Sequence, residues 1–205
     1  MNFKAAVLTK TKKPLKIIED LKTPNLRRGQ VLVKVLHSAI CRSQIMEIEG
    51  KRGNDKYIPH LLGHEGAGIV EKIGNGVTKV LPGDKVFLSW IKGKGLEAGG
   101  SKIKNNKKII NAGPITTFSN YSIISENRCF LVPKKFPIKK SVIFGCAVPT
   151  GAGIILNQIR PKKNDSICVI GLGGVGLSAL MACKMLKLKN VLVIDVDSKK
   201  INISK

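Results

Sequence analysis

Acidic residues, aromatics and paired cysteines are all scarce in this chain, and each shortage closes off a class of function. Only 13 Asp and Glu stand against 36 Lys and Arg, for a net charge of +23 at pH 7. Such a balance invites a polyanionic partner, because Lys and Arg release counterions from a phosphate backbone. Aromatics make up only 4% of the 205 residues, however, which leaves few platforms for stacking bases. The lysines are also scattered in ones and twos (Lys12-Lys13, Lys107-Lys108, Lys134-Lys135, Lys139-Lys140, Lys199-Lys200) instead of forming one block. A solvated basic surface with no nucleic-acid partner is the expectation. The five cysteines, at 41, 129, 146, 168 and 183, are odd in number and include no C-x-x-C pair, so a disulfide framework is not expected. No long uncharged apolar stretch offers a membrane span, and the N-terminus lacks an apolar signal region, so a cytoplasmic location without membrane contact is the default.

Hydrophobic residues, at 43%, suffice for a core, and the length suits one large or two small domains. Up to about residue 145 the chain reads as short strands separated by turns. Phe3–Leu8, Val31–Leu36, Gly68–Ile73 and Lys85–Leu88 alternate or run apolar, and Arg28-Gly29-Gln30, Gly74-Asn75-Gly76 and Pro82-Gly83-Asp84 supply turns. A compact barrel of antiparallel strands fits that pattern. From Lys139 to about Ile159 the pattern becomes helical, which places a domain junction there: 1–145 as a β-rich domain and 146–205 as an α/β unit. The fold class is therefore mixed, a β-rich barrel followed by the first β-α-β part of a Rossmann domain.

Two constellations carry chemistry. Cys41, His64 and Cys146 offer two thiolates and an imidazole, a set that suits zinc and leaves a fourth tetrahedral position open. Cys168 lies in an apolar strand and Cys183 in an apolar helix, so both read as small buried hydrophobes, and Cys129 as structural. His37 and His60 lack comparable context and read as strand-end or surface residues. The second constellation is Gly171-Leu172-Gly173-Gly174-Val175-Gly176, which follows the apolar run 166–170 and precedes a helical stretch, Val175 to Lys187. Strand, glycine turn and helix N-terminus together form a pyrophosphate cradle. Asp195, closing a second strand over Val191–Ile194, stands where an acid accepts hydrogen bonds from an adenosine ribose and disfavours a 2′-phosphate, which points to NAD; Lys200 lies close enough in sequence to soften that repulsion.

Cys41-Arg42-Ser43, Gly63-His64-Glu65-Gly66-Ala67-Gly68, Pro82-Gly83-Asp84-Lys85-Val86, Gly145-Cys146 with Thr150-Gly151, and Gly171 to Gly176 occur in one order along the chain. From about Lys4 onward the sequence resembles the zinc-dependent medium-chain alcohol dehydrogenases. The resemblance implies a GroES-like barrel as catalytic domain, a zinc held by Cys41, His64 and Cys146, and NAD as cofactor. It also implies that Glu65 sits just behind the metal, that Ser43 accepts the alcohol proton, that Arg42 contacts the pyrophosphate and that Thr150 lies beside the nicotinamide. Met46 and Trp90 would make an apolar inner substrate pocket. The partner would be a small-molecule alcohol or aldehyde, in a homo-oligomer if full length.

Two departures bear on that carry-over. Gln44 stands where the family usually has an Asp that orients the ligand histidine, and Met46 stands where many members have a proton-passing histidine. The region Ile91 to Phe118, where many members carry a four-cysteine structural zinc lobe, has no cysteine; its Gly, Lys and Asn content, through Asn105-Asn106, predicts a mobile loop and no second zinc. The family would continue past residue 205 with further strands, so the expectation is a truncated product, with a non-catalytic remnant or interaction module as the alternative to an NAD-dependent zinc alcohol dehydrogenase.

Overall fold

Short β-branched runs broken by Gly and Pro cannot each bury a face alone, and here they pair into two five-stranded sheets. The computed structural model describes residues 1–105 and 108–204. The chain divides into two compact units, Met1–Gly145 and Cys146–Lys205.

In the first unit, one sheet has β1 (Asn2–Leu8) between β2 (Lys16–Lys22) and β4 (His60–Leu61), and continues through β8 (Lys108–Ala112) to β7 (Ser101–Asn105). The other runs β10 (Cys129–Leu131), β6 (Lys85–Ser89), β5 (Glu65–Ile73), β3 (Gln30–Ser38), β9 (Tyr121–Ser125). Pairing is antiparallel except for the single parallel step His60↔Asn111 between β4 and β8. β3 is flanked on both edges, by β5 and β9, and its first four residues are buried. Val31, Val33, Val70, Val86, Leu88 and Ile124 form the core of this sheet, and Phe3, Val7, Leu21, Leu61 and Ile110 that of the other.

Several sequence expectations require correction. The cysteine-free stretch after Ile91, expected as a loop, contains the β7–β8 hairpin, with Ser101 and Ile103 buried and Lys102 and Lys104 exposed in the period-2 alternation of a half-covered strand. Asn106, where that loop was expected to end, lies outside the described residues, as do Lys107 and Lys205. His60 opens β4, the strand-end place expected for it, but is buried, at 7% exposure, instead of lying on the surface, because β4 runs between β1 and β8. The helical region is broken: α2 (Ile138–Ser141) passes into a 3₁₀ turn, Val142–Gly145, and α3 (Ala147–Gly153) passes into a π-helical turn, Ile154–Ile159.

The second unit contains β11 (Ser166–Ile170) and β12 (Asn190–Ile194), paired in parallel and joined through α4 (Gly174–Met185); α5 (Ser198–Ser204) follows. A Cβ on Gly176 would fall 1.8 Å from the Gly171 carbonyl oxygen, so only glycine lets the first turn of α4 lie this close to the preceding loop. Ile155, Ala179, Ala182 and Cys183 form this unit's core. Cys168 corrects the expectation of burial: it is exposed. Alternation along β11 turns Val169 towards cover and leaves Cys168 and Ile170 on a face that nothing described packs against.

Candidate metal centre and glycine loop

Cys41 caps α1 (Arg42–Ile48), with extended backbone (φ −90°, ψ 145°), and its carbonyl accepts the Gln44 N–H at 3.0 Å. The Ser43 hydroxyl donates to Cys41 Sγ at 3.4 Å. His64 lies immediately before β5, and the strand's first residue, Glu65, is pinned through its carbonyl, which accepts from the hydroxyls of Ser38 (3.1 Å) and Thr117 (2.9 Å). These anchors bring Cys41, His64 and Glu65 together: their ligand atoms lie within 4.8 Å of one another.

The electrostatics of this group favour a cation. Burial lowers the His64 pKa, with the Arg52 charge acting in the same direction, so the imidazole is held in its neutral, lone-pair-bearing form. Burial raises the Glu65 pKa, since the carboxylate, 5% exposed, has lost water without gaining a positive partner. His64 Nε2 is buried and has no hydrogen-bond partner among the described residues. A thiol, an imidazole with an orphaned nitrogen and a desolvated carboxylate are the donor set a borderline-soft divalent ion takes.

Gly145 closes this side of the unit. Its carbonyl accepts from the Ser89 hydroxyl at 2.9 Å and the Trp90 N–H at 3.3 Å, and a Cβ on it would lie 2.5 Å from that of Glu65. Cys146 is the next residue in the chain and opens the second unit. Trp90 is 47% exposed and its carbonyl accepts from the Arg128 guanidinium; Met46 is half-buried on α1, and Arg42, at the start of that helix, is exposed. A cavity of about 510 Å³ within the first unit is bounded by Gln44, His64, His60 and the β8 end.

Gln44 Nε2 lies 3.3 Å from His64 Nδ1, so the residue standing where the resembled family has a histidine-orienting Asp does meet His64. Sequence reasoning missed a second grouping: His60 Nε2 lies 2.7 Å from Asp55 and 3.6 Å from Glu47. The Asp five residues before His60 was the available signal.

In the second unit the structure gathers Gly171, Gly173, Gly174, Val175 and Gly176 with Asp195 and Lys200. One Asp195 oxygen accepts the Leu172 N–H at 2.5 Å and the other the Asp197 N–H at 2.9 Å, with Lys200 Nζ 3.8 Å away. The Leu172 bond, then the Asp197 bond and the Lys200 charge, hold this carboxyl below the usual aspartate range. The acid therefore ties the glycine loop to the end of β12. Thr150, on α3, donates its hydroxyl to the Cys146 carbonyl at 2.7 Å.

Residues 27–134 match the family model described as the alcohol dehydrogenase GroES-like domain. Among curated proteins the chain is 33% identical to an alcohol dehydrogenase class-3 of Zea mays, over 98% of this chain and 59% of that protein. It is 29% identical to an S-(hydroxymethyl)glutathione dehydrogenase of Escherichia coli, over 100% of this chain and 62% of that protein. The structure of benzyl alcohol dehydrogenase from Acinetobacter calcoaceticus superposes with a TM-score of 0.85 at 27% identity, over 100% of this chain and 61% of that one. The chain thus spans about three fifths of the length of the curated relatives it matches.

Proposed function

Because this chain belongs to the alcohol dehydrogenase GroES-like domain family, we propose that it serves a zinc-dependent, NAD-linked alcohol dehydrogenase that interconverts an alcohol with its aldehyde or ketone. The observation that carries this reading is the convergence of Cys41, His64 and Glu65 around a buried His64 Nε2 that has no hydrogen-bond partner among the described residues. Cys41, His64 and Cys146 would hold the metal; Cys146 is the residue after Gly145, which packs against Glu65 and whose carbonyl is fixed by the Ser89 hydroxyl. Bound there, zinc supplies a Lewis acid for the substrate oxygen. Glu65 offers a negative charge beside the ligands, and its burial excludes water from that side.

Ser43 is the proton acceptor in this reading. Its hydroxyl sits 3.4 Å from Cys41 Sγ, which holds it next to the ligand set. Arg42, Thr150, the glycine loop and Asp195 with Lys200 would bind NAD, and Met46 with Trp90 would line an apolar pocket for the alcohol or aldehyde. A cytoplasmic homo-oligomer completes the proposal.

The test is an assay of nicotinamide absorbance with a panel of primary and secondary alcohols, on zinc-loaded protein and its variants. Ser43→Ala is expected to lower turnover by about 10²–10⁴-fold, the usual contribution of a positioned proton acceptor, with zinc content unchanged. Full turnover in Cys41→Ala would refute the reading, and zinc uptake without any turnover would favour a non-catalytic metal-binding module.

A further inference from the structure

We propose that Gln44 sets the metal affinity of the Cys41–His64 centre by holding His64 in the tautomer that metal binding must abandon. The inference rests on the reading of that centre as a cation site. Gln44 is 6% exposed and its amide is held at both ends. Oε1 accepts the Gly63 N–H, while Nε2 donates towards Glu47 at 3.5 Å and towards His64 Nδ1 at 3.3 Å. An amide nitrogen has no acceptor capacity, so Nδ1 is the accepting nitrogen and the ring hydrogen sits on Nε2. Nε2 is also the buried nitrogen without a partner among the described residues, and it is the one not engaged by Gln44, so it is the atom a cation takes.

A cation at Nε2 needs the lone pair there, which moves the ring hydrogen to Nδ1. At Nδ1 that hydrogen meets the N–H of the Gln44 amide, donor against donor. Turning the amide over presents Oε1 to Nδ1 but sets the NH₂ group against the Gly63 N–H. The loaded centre needs two acceptors from residue 44, and an amide has one. A carboxylate of the same length has two, one oxygen for Gly63 and one for His64. The Glu47 charge beside it opposes this gain, and Arg52, 3.7 Å from Glu47, offsets that opposition. Partners of a ligand histidine typically change metal affinity by about 10–100-fold, which sets the scale of the effect.

The experiment uses the full chain, with zinc as the probe and a chromophoric chelator as competitor, on wild type and Gln44→Glu, together with ¹⁵N NMR of the imidazoles of the metal-free protein. The wild type is expected to show His64 as the Nε2–H tautomer, and Gln44→Glu to shift the hydrogen to Nδ1 and tighten zinc binding by about tenfold or more. Equal or weaker zinc binding by folded Gln44→Glu overturns the proposal, as does an Nδ1–H tautomer in metal-free wild type; the second readout stands even if the variant does not fold. If neither chain binds zinc, the metal-centre reading itself falls and this inference with it, whichever tautomer is found.

Discussion

Glu126 shows how much of this fold hangs on single polar side chains. Its carboxylate, 1% exposed, accepts the backbone N–H groups of the adjacent Thr78 (2.6 Å) and Lys79 (2.9 Å) and of Leu96 (2.7 Å), joining two otherwise separate stretches of loop. Burial pushes the pKa of this group up, but the three N–H bonds and the Lys79 charge outweigh it and leave the pKa below 4.5. A folded pKa below the unfolded one means that the stabilisation is fully present above about pH 4.5 and is lost as pH falls through the folded value. Glu126→Gln is expected to cost about 2–3 kcal/mol at pH 7, because one acceptor oxygen and the charge are lost together, and to flatten the acid limb of a urea-denaturation pH series. A wild-type acid limb in the variant would contradict this. The cysteines separate by burial in the same way: desolvation pushes Cys129 up to about 12, whereas Cys168 is exposed on β11. Iodoacetamide on the native protein should label Cys168 ahead of Cys129 and Cys183, read by peptide mass spectrometry.

At the scale of elements, legibility followed locality. The strand, glycine turn, helix and second strand of the C-terminal unit could be read because every feature lies within about one βαβ unit of its neighbours, and β3, β5 and β6 could be read because their short apolar runs are bounded by Gly and Pro turns such as Arg28-Gly29-Gln30, Gly74-Asn75-Gly76 and Pro82-Gly83-Asp84. The β7–β8 hairpin could not: β7 buries only Ser101 and Ile103 against two exposed lysines, so its composition resembles a loop until β8, with Ile110 and Ala112 buried, pairs with it. β4 is two residues long and exists only through its pairing with β1 and β8. Of the site, Cys41 and His64 were visible as motif residues and Gln44 by its place in the resembled pattern, whereas the His60 cluster arises from tertiary packing. Gly176→Ala tests the tightest element contact. Its Cβ would strike the Gly171 carbonyl, which is backbone and cannot swing aside, so α4 must move. The expected cost is about 1–3 kcal/mol, with faster hydrogen exchange at the amides of Val169 and Ile170 and none at β3. Unchanged exchange in both would show that the close approach is unimportant.

Across the whole molecule, the first unit carries Cys41 and His64 of the proposed metal centre, and the second carries the glycine loop and Asp195 of the proposed dinucleotide site. Asp195 is held ionised by the Leu172 N–H, so a 2′-phosphate would meet a fixed negative charge with Lys200 as partial compensation. Calorimetric titration should therefore give tighter binding of NAD than of NADP, and Asp195→Asn should narrow the gap by about tenfold; a wild-type preference for NADP would remove the cofactor assignment. The central claim is that Cys41 and His64 hold a catalytic-type zinc, and metal analysis of the purified full chain with its Cys41→Ala and His64→Ala variants tests it most directly. The account predicts about one zinc per wild-type chain and loss of that zinc in both folded variants, as a site of three protein ligands requires. Undiminished zinc in folded Cys41→Ala and His64→Ala would contradict it.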